Sequence, residues 1–119
     1  MARHSTLQQV KEGALLSKGS TLTIASGAIT VTDSFHLVAT SDPENTTTEN
    51  LTTINGGHTA GQIVVLMAAN DAETVVVKNS ASLAVGADTS LEEDTDTITL
   101  MWTGSKWVGL ASRVAATPS

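Results

Sequence analysis

Cysteine and tyrosine are absent from the 119 residues, phenylalanine occurs once, and tryptophan and proline twice each. Without cysteine there is no disulfide framework, no thiol nucleophile and no thiolate metal site. No run approaches the roughly eighteen apolar residues of a membrane span, so no membrane partner is expected. The opening, MARHSTLQQVKEGALLSKGS, lacks an apolar stretch with a cleavage-like end, so no secretory signal is expected. Basic residues are scarce too: six Lys and Arg stand against twelve Asp and Glu, for a net charge of −6. Arg3, Lys11 and Lys18 against Glu12 give residues 1–20 a charge of +2, which leaves −8 on residues 21–119. An acidic body repels a phosphate backbone, so no nucleic-acid partner is expected.

Threonine and serine supply 31 residues and glycine nine, while helix-forming Lys, Arg, Glu and Gln are sparse. Threonine beside Val and Ile suits a pleated surface with one wet face, and the length fits one domain. The fold expected is all-β: a compact β-sandwich, jelly-roll-like, or a small barrel of about seven to nine short strands with an extended N-terminal arm. The organisation expected is an arm over 1–20, a β domain over 21–114 and a tail over 115–119. In the arm, Ser5 can cap a short helix to about Lys11 that sets Leu7 and Val10 on one side. TLTIASGAITVT alternates at period two around a Ser26-Gly27 turn, and FHLVAT is a further strand. SDPENTTTEN reads as a polar loop. QIVVLMAA and ETVVVKN read as a hairpin across Asn70, Asp71 and Ala72. The last hairpin, DTITLMWTGSKWVGLAS, turns at Gly104-Ser105. That register places Trp102 opposite Trp107, Leu100 opposite Gly109 and Ile98 opposite Ala111.

Motifs that would carry chemistry are incomplete. Gly56 and Gly61 have the spacing of a phosphate-binding loop, but Gln62 and Ile63 stand where Lys and Ser or Thr must reach phosphate and magnesium. A β-branched run follows in place of a helix N-terminus, so the glycines after Asn55 read as a turn. His4, His36 and His58 have no companions at metal-ligand spacing; His36 reads as a structural strand histidine and His58 as an exposed loop residue. Glu92, Glu93, Asp94 and Asp96 lack the alternation and central glycine of a calcium loop, and read as an acidic turn. No Gly-x-Ser-x-Gly elbow occurs. No catalytic, cofactor-binding or metal-binding residue is assigned, and enzymatic activity is not expected. Trp102 and Trp107 are a core pair or, if they face solvent, a platform for sugar.

IVVLM (63–67) and VVV (75–77) carry no polar residue to mark an outer face. A strand apolar on both sides needs cover on both sides. Ile63, Val65, Met67, Val75 and Val77 are therefore the expected subunit interface, unless the Leu15-Leu16 arm supplies the cover.

The succession TLTIASGAITVT, FHLVAT, LTTINGG, GQIVVLMAAN, TVVVKNS and DTITLMWTGSKWVGLASR resembles the small β domains of tailed-bacteriophage virion proteins. Such domains serve as capsid decoration (cement) proteins and as modules of tail fibres and spikes, commonly as homotrimers. The resemblance implies a structural virion protein made in the bacterial host cytoplasm. An arm plus one domain, with neither stalk nor receptor-binding head, points first to decoration. A homotrimer would then bind the major capsid protein on the outer surface of the mature head and stabilise the shell. Arg3, Leu7, Val10, Lys11, Leu15, Leu16 and Lys18 would make the capsid contact. The alternative is a tail-fibre, spike or baseplate component in host recognition, with glycan contacts at Trp102 and Trp107. A small hydrolase or free sugar-binding module unrelated to virions is a third reading, which no catalytic pair supports.

Overall fold

Alternation of Ile, Leu and Val with Thr dictates strands, and short turns rich in Gly, Asn and Asp keep them short. The computed structural model describes residues 15–41 and 48–114. Among these the strands are β1 (Leu22–Thr23), β2 (Ala28–Thr30), β3 (Phe35–Ala39), β4 (Thr48–Leu51), β5 (Thr53–Asn55), β6 (Ile63–Ala68), β7 (Thr74–Val77), β8 (Leu83–Ala84), β9 (Thr89–Leu91), β10 (Thr97–Trp102) and β11 (Trp107–Arg113). The all-β reading holds. The eleven strands exceed the expected seven to nine because pieces as short as β1 and β8, two residues each, complete the sheet edges.

Six strands form one sheet in the order β1-β3-β6-β10-β11-β8, β2 pairs with β5, and β4-β7-β9 form a third sheet. One core joins all three: Ile29 of β2, Val38 of β3, Leu51 of β4, Val64 and Leu66 of β6, Val75 and Val77 of β7, Leu91 of β9, Leu100 of β10 and Trp107 of β11 belong to a single buried cluster. Fully burying each such side chain contributes roughly 1.5–3 kcal/mol.

Three expectations need correction. β6 and β7 are not a hairpin: β6 lies between β3 and β10, whereas β7 pairs with β4 and β9 in another sheet. The Asn70 side chain redirects the chain by accepting the amides of Ala72 and Glu73 at 2.9 and 3.1 Å, an Asx turn that starts the crossover. The polar stretch SDPENTTTEN runs into β4 (Thr48–Leu51), because parallel pairing with β7 satisfies the backbone of Thr48, Glu49 and Asn50 whatever their side chains. In the last hairpin, Trp102↔Trp107 and Leu100↔Gly109 pair as expected, but Ile98 faces Ser112 because a bulge lies between Thr99 and Leu100. The extra residue is Leu110, which the bulge turns outward to 52 % exposure. Beside the bulge, a Cβ on Gly109 would sit 3.2–3.4 Å from Val85, so the β8–β9 connection packs directly on that backbone.

The helix expected from Ser5 lies outside the described residues. Of the arm, Ser17–Gly19 join the main sheet: Gly19 N–H donates to Phe35 O at 2.7 Å and Phe35 N–H to Ser17 O at 3.1 Å. His36, fully buried, holds the next segment. Its Nε2 accepts the amides of Thr32 and Asp33 at 3.0 Å each, which leaves Nδ1 to donate to Ser20 O at 2.7 Å. At the far corner Lys78 Nζ lies 2.7 Å from Asp88 Oδ2, and Asp88 Oδ1 accepts Asn79 N–H at 2.9 Å. The Lys78 hydrogen bond, then the Asn79 amide, hold the Asp88 carboxyl below the usual carboxylate range.

Ser26 and Gly27 both adopt positive φ, 52° and 78°, in a two-residue turn closed by reciprocal bonds of 3.0 Å between Ala25 and Ala28. Ser26→Asn is expected to raise the unfolding free energy by about 0.5 kcal/mol, and Ser26→Val to lower it by about 1–2 kcal/mol. Urea denaturation checks both, and an unaffected Val variant would contradict the turn. The lowered Asp88 pKa makes its contribution present above the ordinary carboxylate range and lost as pH falls through the folded-state value. Asp88→Asn should therefore melt slightly below the wild type at neutral pH and converge with it in acid, as thermal scans across pH will read.

Candidate interaction surfaces

Period-two alternation splits the six-stranded sheet into two chemically distinct faces. Inward rows run His36–Leu66–Ile98 and Val64–Leu100, set by the pairing of β6 with β3 and β10. The opposite face carries Phe35, Val65 and Thr99 in one row, Leu37, Met67 and Thr97 in the next, and Ile63 beside Met101. All of these are half-buried. Phe35, Leu37, Val65, Met67, Ile63 and Met101 form a continuous apolar patch on β3, β6 and the end of β10, and apolar patches rimmed by polar residues mark contact surfaces.

Of the residues assigned to a subunit interface, Ile63, Val65 and Met67 lie together on this patch. Val75 and Val77 do not: they are 1 % and 0 % exposed and point into the core. By sequence β7 reads as apolar on both faces, but the crossover to the other sheet turns Val75 and Val77 inward and leaves Val76 half-buried outside. Phe35, Leu37 and Met101 were missed, since only the register shows that they flank β6. Among the capsid-contact assignments, Arg3, Leu7, Val10 and Lys11 lie outside the described residues. Leu15 and Leu16 are exposed, at 73 % and 38 %, and Lys18 is exposed beside Phe35.

A second surface forms at one end of the sheet, where the 56–62 loop meets the β10–β11 turn. The Gln62 side chain organises the loop: Oε1 accepts His58 N–H at 2.7 Å, and Nε2 donates to Gly56 O at 3.0 Å. The amides that a phosphate would need are thus partly taken from within. Gly56 has φ 106°, while Gly57 is required by close approach, since a Cβ there would run into the Trp102 ring. Trp102 and Trp107 stack at 5.3 Å between centroids with planes tilted by 57°. The pair is divided in role. Trp107 is core, its Nε1 donating to Ile54 O at 3.1 Å, and Trp102 is half-buried against the glycine loop. His58, Thr59, Ala60, Thr103, Ser105 and Lys106 are exposed around it.

The acidic run is less solvated than its composition suggests. Asp96 is fully buried, and its Oδ2 accepts the amides of Glu92 and Glu93 at 2.9 and 3.0 Å, closing the turn into β10.

The two faces make opposite predictions. Val77→Ala should lower the unfolding free energy by about 2 kcal/mol, and Val65→Thr by less than half as much. Equal losses in chemical denaturation would mean that the assignment of faces is wrong.

A comparison with curated proteins finds no match. The family profile of the phage depolymerase C-terminal beta sandwich domain matches residues 23–108, well over half of the chain, from β1 to the start of β11. The match takes in the core, the whole apolar patch and the loop end around Trp102. The resemblance to virion β domains read from the hairpins is therefore one of kinship, and the chain belongs to the phage depolymerase C-terminal β-sandwich family.

Proposed function

We propose that the chain is a non-catalytic module of a tail-spike-type phage assembly that takes part in host recognition. The observation that carries this reading is the family match itself, to a domain of depolymerases rather than of shell proteins. It supports the tail alternative above the decoration role that the arm first implied. The module assembles as a homotrimer through the apolar patch centred on Ile63, Val65 and Met67, which gives a surface of that character a partner of the same kind. The loop end, where β6 begins and β10 ends, is then the contact surface. There Trp102 offers an aromatic edge, and His58, Thr59, Ser105 and Lys106 offer exposed polar groups, the combination by which sugars are held. Three copies of a weak site combine through effective concentration, so individual contacts need not be strong.

Two measurements test the reading. Purified full-length protein should bind cells of the source phage's host, and Trp102→Ala should cut that binding at least tenfold, about 1.4 kcal/mol, while circular dichroism stays unchanged. Quantitative mass spectrometry of particles should place its copy number far below that of the major capsid protein. Parity with the capsid subunit would return it to the head.

A further inference from the structure

The buried carboxylate of Glu73 is the one side chain of the described interior whose polar atoms are not all accounted for. Glu73 is 3 % exposed, its Oε1 accepts Thr40 N–H at 2.8 Å, and its Oε2 is buried with no partner. A buried carboxyl oxygen with no partner is costly to keep, and such an atom calls for an explanation. A second carboxylate ends on the adjoining residue. Glu49 Oε1 accepts Ser41 N–H at 2.6 Å, and Ser41 Oγ donates to both Glu49 oxygens at 3.1 Å. No lysine or arginine balances them, because the ion pairs among the described residues are Lys78–Asp88 and Arg113–Asp96.

The chain builds this arrangement at the junction of its sheets. Thr40 and Ser41 follow β3 of the six-stranded sheet, Glu49 belongs to β4, and Glu73 immediately precedes β7, with Thr48 paired to Thr74. The Asx turn of Asn70 fixes the Glu73 amide and so sets where its side chain enters. Two carboxyl groups thus meet the end of one sheet from the start of another, with one oxygen left without a partner in the interior.

We propose that Glu73, with Glu49 beside it, anchors a divalent-cation site of the calcium class that fastens the six-stranded sheet to the three-stranded one. The donors on offer are hard oxygens, which exclude soft metals. A buried anchor demands dehydration, which calcium accepts more readily than magnesium, and calcium tolerates an irregular shell completed by carbonyl, hydroxyl and water oxygens. Among the described residues no three His, Asp or Glu converge on one point. Two carboxylates alone would hold calcium weakly, so the dissociation constant expected is about 10⁻⁴–10⁻³ M, the range of extracellular modules. Its occupancy would follow the calcium of the medium.

Thermal melts of the full chain in chelator, in about 5 mM calcium chloride and in the same concentration of magnesium chloride test this. Calcium is expected to raise Tm by about 5 °C and magnesium by clearly less. Glu73→Gln should abolish the calcium shift while still melting cooperatively in chelator, since its side-chain oxygen can keep the Thr40 amide bond. Asp94→Asn, which alters an exposed acid away from the site, should keep the shift. A wild type that melts identically in calcium and chelator overturns the proposal, as does a Glu73→Gln protein that retains the full shift. Should Glu73→Gln fail to fold, titration calorimetry of the wild type with calcium chloride decides. One site per chain, weakened at least threefold by Glu49→Gln, supports the proposal, and no heat of binding overturns it.

Discussion

The register of β6 between β3 and β10 is the constraint on which the rest of the molecule depends. His36, Leu66 and Ile98 share one inward row, and Val64 and Leu100 share another, so five side chains from three strands enter the core together. Because side chains alternate with a period of two, a slip of β6 by one residue would carry Val65 and Met67 inward and turn Val64 and Leu66 out. Both faces of β6 are apolar, so its own sequence penalises such a slip weakly. The neighbours decide: Thr97 and Thr99 of β10 belong outside, and Ile98 and Leu100 inside.

Polar groups that penetrate the interior sit where strands end and the chain changes direction, and each replaces a partner that no strand could supply. Asp96 closes the turn into β10, His36 joins Ser20 to the Thr32–Asp33 turn, and the Trp107 indole reaches the carbonyl of Ile54 on the opposing sheet. These contacts fix the connections, whereas apolar burial supplies most of the stability. Glu73 belongs to the same class by position, at the crossover from β6 to β7, and differs in having one oxygen left over.

The surface divides its labour in the same way. Acidic residues dominate the loops and give the body its negative charge, while the β3–β6–β10 face stays apolar and the Trp102 end mixes aromatic with polar groups. Charge keeps such bodies apart in solution except where an apolar face allows close approach. A module with one apolar flank and one mixed end is suited to pack beside its own kind and to touch something else at the end. Membership of the depolymerase C-terminal β-sandwich family favours a tail-spike role over decoration of the shell.

Much of this was readable from residues alone. Alternating Thr with Ile and Val dictated strands, Ser26-Gly27 and Gly104-Ser105 dictated turns, and the missing Lys after Gly61 excluded a phosphate loop, all because these signals act over a few neighbouring residues. What the tertiary structure decided is which strands meet and which face is inward. ETVVVKN has the same local pattern whether it returns beside β6 or crosses to β4, and only the crossover buries Val75 and Val77. The bulge at Leu110, the split roles of Trp102 and Trp107 and the burial of Glu73 likewise arise from contacts between residues far apart in the chain. Local propensity sets the conformation of each segment, but the partner of an apolar face is chosen by the burial of the whole.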